Sequence, residues 1–63
     1  MDETLELLME QIEQRRMQIV ESLGDGGPRD FAEYRYTVGM VRGLLTAQSL
    51  IADLAKKMEH YDD

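Results

Sequence analysis

The chain has 63 residues, no cysteine, one histidine and a net charge of −6. Disulfides are excluded, and a metal site nearly so, because His60 stands alone near the end of the sequence. A fold of this size buries only about 60% of its extended-chain surface, and below roughly 70–80 residues a lone core seldom suffices without a staple or a partner. What remains is oligomerisation or a partner protein.

The charge is unevenly placed. Residues 1–27 carry seven acids (Asp2, Glu3, Glu6, Glu10, Glu13, Glu21, Asp25) against Arg15 and Arg16, a net of −5; residues 28–63 carry six acids against five bases, a net of −1. An acidic first half disfavours attraction to phosphate backbones and suits either a basic protein surface or a solvated helix face. The opening Met1-Asp2-Glu3-Thr4 is acidic, unlike a secretory signal peptide. No uninterrupted apolar run approaches the ~20 residues that span a bilayer. A soluble protein is expected, with no membrane among its partners.

The first helix is predicted over about residues 3–23. Leu5, Leu8, Ile12, Ile19 and Leu23 recur at three- and four-residue steps, flanked by Met9 and Val20. Leu5, Ile12 and Ile19 are seven apart, but the companion positions after Leu8 are Arg15 and Ser22. Drift toward Met9, Arg16 and Leu23 describes a nearly straight helix better than a long supercoil. Acids in the first turn suit the positive end of the helix dipole, and Glu13 with Arg16 is the obvious favourable side-chain pair.

Gly24-Asp25-Gly26-Gly27-Pro28 is the clear punctuation, predicted as a loop over 24–28. Gly24 suits the left-handed position beyond a helix end, and Pro28 the first turn of the next helix. The organisation is helix, short loop, helix: an all-α antiparallel hairpin forming a single domain over residues 1–63.

The second helix is predicted over about residues 29–59, longer than the first, with two apolar stripes. One contains Met40, Leu44, Ala47, Ile51, Leu54 and Met58, with Gly39, Gly43 and Leu50 along its edge. The other contains Tyr34, Val38, Val41, Leu45 and Ala52 on a face more than about 90° away. A helix apolar on two sides has two neighbours, and the first helix covers one. With the chain reversing at residues 24–28, residues 51–63 are expected to project past Met1, leaving Ile51, Leu54 and Met58 uncovered. Such a stripe marks an interface. The competing arrangement has Gly39 breaking the helix, giving three shorter helices in a closed bundle.

Gly39, Gly43 and Ala47 share one helix face. Two glycines inside a helix each cost roughly 1 kcal/mol relative to alanine, and close approach of another helix is the expected return. Tyr34, Arg35 and Tyr36 alternate aromatic and basic types, but neighbours on a helix point about 100° apart and form no stacking platform. No nucleophile, base and orienting acid can be assembled here, and no pocket is suggested in which to perturb paired carboxylates. Neither enzymatic activity nor a cofactor is expected.

Residues Tyr36 to Leu54, Tyr-Thr-Val-Gly-Met-Val-Arg-Gly-Leu-Leu-Thr-Ala-Gln-Ser-Leu-Ile-Ala-Asp-Leu, resemble a stretch found in small helical proteins, uncharacterised or virion-associated, of tailed bacteriophages. There a Tyr-x-x-Gly-x-hydrophobic-x-Gly-Leu element precedes an amphipathic helix. The resemblance covers about a third of the chain. It implies a structural accessory of head, portal or tail, docking on itself or on a larger portal, capsid or tail protein, in the virion or the host cytoplasm. The helix-loop-helix plan is also similar to the small plasmid copy-number regulator that dimerises into a four-helix bundle and binds paired RNA hairpins. No distinctive motif carries that likeness, and an inhibitor of a host protein is a third class compatible with the sequence.

Overall fold

A computed structural model describes residues 1–61, with side chains as far as His60. It shows two helices packed antiparallel, α1 over Glu3–Gly24 and α2 over Phe31–Tyr61, with no strand among the described residues. The chain forms an all-α helical hairpin.

Each helix begins on an aspartate. The Asp2 carboxylate accepts from the N–H groups of Thr4 and Leu5 at 2.7 and 3.2 Å, capping α1 where the first donors have no helical partner. Asp30 caps α2 in the same way, accepting from the Glu33 N–H at 2.8 Å while its carbonyl receives the Tyr34 N–H at 3.0 Å. Pro28 therefore lies two residues before the cap, not in the first helical turn, because Asp30 offers the donors of that turn a carboxylate. α2 starts at Phe31 rather than near residue 29.

The end of α1 also differs from expectation. Gly24 is helical, and the left-handed residue is Gly26, with φ 80°. The Gly27 N–H then donates to the Ser22 carbonyl at 2.8 Å and the Asp25 N–H to Glu21 at 3.0 Å. This is a Schellman closure displaced by two residues from the Gly24 position. Gly27 is needed for closeness, since a Cβ there would lie 2.9 Å from the Ser22 carbonyl oxygen.

α2 runs unbroken through Gly39 and Gly43, so the three-helix arrangement is not formed. The register of the two helices reverses the expected overhang. Met1 N lies 3.7 Å from Glu59 Oε1, and Leu5 shares a groove with Ala55 and Met58. Gln48 reaches Glu13 at 2.9 Å, and Ile19 borders Met40 and Leu44. The segment around Ile51 to Met58 thus lies beside the start of α1; Ile51 is half-buried there, while Leu54 and Met58 stay exposed. The uncovered end of α2 is its first turns, where Phe31, Tyr34 and Tyr36 stand exposed beyond Leu23. The cause is the loop. Residues 25–27 close against the last turn of α1, and α2 begins only after Pro28, Arg29 and Asp30, instead of the chain turning directly into it at Pro28.

On α1 the inner face is Leu5, Met9, Ile12, Arg16, Ile19 and Leu23. On α2 it is Thr37, Val41, Leu44, Gln48, Ile51 and Ala55, a run of alternating four- and three-residue steps. Among the described residues Ala55 is the buried apolar one, at 6% exposure; the others of these two faces are half-buried. The hairpin spans 51 × 16 × 11 Å, about the length of α2 alone at 1.5 Å per residue. Two helices side by side make a seam, and neither is enclosed.

Candidate functional site

The seam that α1 occupies lies between the two stripes of α2 and draws from both. It takes Leu44 and Ile51 from one, and Val41 from the other, with Val38 and Ala52 half-buried at its margin. Left outside on one flank are Gly39, Met40, Gly43, Leu50 and Leu54, joined by Tyr36; Ala47 is half-buried and Met58 exposed beside them. On the opposite flank Tyr34 and Leu45 are exposed.

The first flank has a regularity of its own. Tyr36, Met40, Gly43, Ala47, Leu50 and Leu54 follow alternating four- and three-residue steps, a second heptad seam beside the one that α1 fills. Leu50 is 65% exposed, Leu54 49% and Tyr36 71%. A Cβ placed on Gly39 or Gly43 would meet nothing within 4 Å, so the glycines are not a contact with α1. They form an open notch flanked by projecting apolar side chains. From α1, Arg15 and Ile19 border this surface next to Met40.

A polar cluster sits within the occupied seam. Arg16 Nε donates to Glu13 Oε2 at 3.1 Å, and its Nη2 donates to Oε1. Gln48 Nε2, from α2, donates to the same Oε2 at 2.9 Å. Arg16, then Gln48, hold the Glu13 carboxyl below its ordinary range by stabilising its ionised form, against a smaller upward pull from desolvation. The Glu13–Arg16 pair follows from its spacing; Gln48 was hidden because it is the polar member of an otherwise apolar line, Val41-Gln48-Ala55. Its heptad spacing from both was the available signal.

At the open end of α2, the rings of Phe31 and Tyr34 lie with centroids 6.1 Å apart and planes inclined by 29°. They border a shallow depression with Leu23, Gly26 and Pro28. His60 is exposed, and among the described residues no group of three histidine, aspartate or glutamate side chains converges on a possible cation. By length and composition alone, Phe31–His60 is apolar enough to cross a bilayer. In the hairpin this same segment carries α1 along its side, and it contains Arg35, Arg42, Asp53, Lys56 and Lys57. No family model, curated protein or solved structure matches the chain.

Proposed function

We propose that the protein is a non-enzymatic assembly component that docks through α2 and acquires on docking the core that its own two helices do not enclose. The carrying observation is the continuous seam Met40–Leu54, apolar, regularly spaced and open, in a hairpin where the buried apolar residue among those described is an alanine. Apolar patches of this kind mark protein interaction sites. The resemblance of Tyr36–Leu54 to small phage proteins directs the reading to a virion accessory of head, portal or tail, with no bilayer involved.

The test is recovery of the untagged protein from its native source. The wild type is expected to co-sediment with assembled particles, and Leu50→Glu with Leu54→Glu to release it while leaving its helicity intact. A double variant that still co-sediments would remove α2 from the docking role. A wild-type protein found free, with salt-sensitive binding to hairpin RNA, would favour the regulator class instead.

A further inference from the structure

We infer that the open seam of α2 is occupied by a second copy of this chain, the two α2 helices crossing antiparallel about a two-fold axis level with Leu45. The inference rests on the reading of α2 as a docking element and adds the identity of its occupant.

The first support is self-complementarity. Gly43 and Ala47 stand two residues either side of Leu45, Met40 and Leu50 five, and Tyr36 and Leu54 nine. An antiparallel pair about that level sets Gly43 against the partner's Ala47, Met40 against Leu50 and Tyr36 against Leu54. Small residues then meet at the crossing point, where two straight helices come closest, and large ones meet further out, where the axes diverge. The open space at the Gly43 Cβ position is where the partner's backbone enters. A two-fold interface requires this reciprocity, since each contact occurs twice. A parallel pair would instead set Gly43 on Gly43 and Leu50 on Leu50.

Charge selects the same orientation. Arg35 and Asp53 are 18 residues apart, five helical turns, so they lie on one line along the flank of the seam turned away from α1. In the antiparallel pair each Arg35 comes beside the partner's Asp53, offset by two residues or about 3 Å along the axis. In a parallel pair the two copies of this line fall on opposite sides of the dimer, and neither Arg35 nor Asp53 meets its counterpart.

Area gives the third support. The chain exposes 5112 Å², against about 4,200 Å² expected of a compact monomer of 7.3 kDa. The surplus, roughly 900 Å², reflects the extended 51 × 16 × 11 Å shape and is enough to supply the ~800 Å² that each partner gives to a standard protein interface.

The natural chain has no cysteine, so disulfide trapping reads the geometry directly. Met40→Cys and Leu50→Cys chains, mixed and oxidised under native conditions, are expected to give a covalent dimer that neither variant gives alone. Like positions lie about 15 Å apart along the antiparallel pair, ten residues at 1.5 Å each. Charge exchange is the second measurement. Arg35→Asp or Asp53→Arg alone is expected to raise the dimer dissociation constant roughly threefold at low ionic strength, and the two together to restore it. Cross-linking of either cysteine variant alone as efficiently as the mixture overturns the inference, as does a wild-type chain that sediments as a monomer at high micromolar concentration. If that monomer still enters particles through Leu50 and Leu54, the second-copy inference fails and the docking reading stands.

Discussion

Gly26, and not Gly24, is the residue that ends α1. At φ 80° an L side chain brings Cβ close to the following carbonyl, so Gly26→Ala is expected to lower stability by about 1–2 kcal/mol. Gly24 is helical with open space at its Cβ position, and Gly24→Ala should raise stability by about 0.5–1 kcal/mol. Paired urea unfolding curves read both, and equal effects at the two sites would contradict the Schellman assignment. Glu13 supplies a pH signature. Its folded-state carboxyl is held below the ordinary range by Arg16 and Gln48, so its contribution is full above the unfolded-state value and is lost as pH falls through the folded one. Glu13→Gln should accordingly flatten the acid limb of the stability profile. An acid limb unchanged by that substitution would mean that the three-residue cluster is not formed in solution.

The helices themselves respond to substitution differently on their two seams. Ala55 is enclosed, so Ala55→Leu overpacks the occupied seam and should cost about 1–3 kcal/mol in the thermal unfolding of the hairpin. Gly43 faces open space in the single chain, so Gly43→Leu should raise helicity while lowering self-association, read by circular dichroism and sedimentation velocity. Raised helicity with unchanged self-association would place the glycine face in solvent.

Much at this scale was legible in the sequence. The glycine-proline segment marks the reversal, and the apolar spacing gives two helices and two faces on the second. The seam that α1 fills was not legible, because Thr37 and Gln48 interrupt its apolar line and the stripes on either side look richer. Nor was the register. It depends on a six-residue loop that closes against the end of α1 and finishes on the Asp30 cap, a geometry that apolar periodicity does not encode. The open seam was only half visible: Met40, Leu50 and Leu54 were picked out by type, but their separation from Leu44 and Ile51 required knowing where α1 lies.

For the whole molecule, the deciding quantity is how little two helices can enclose. Most of the stability of a helix in a protein comes from packing its apolar face, and here the α1 seam uses one line of α2 and leaves a second unfilled. A hairpin of this kind is expected to be marginal alone and to gain stability by mass action whenever its open seam is covered. The second-copy arrangement makes that gain a function of the protein's own concentration. The most direct measurement is therefore thermal unfolding of the purified wild-type chain, followed by circular dichroism over a wide range of protein concentration. A dimerising hairpin has a midpoint that rises with concentration, in step with a sedimentation mass moving from monomer to dimer; a sharp, cooperative transition of a monomer at a concentration-independent midpoint rules the second copy out.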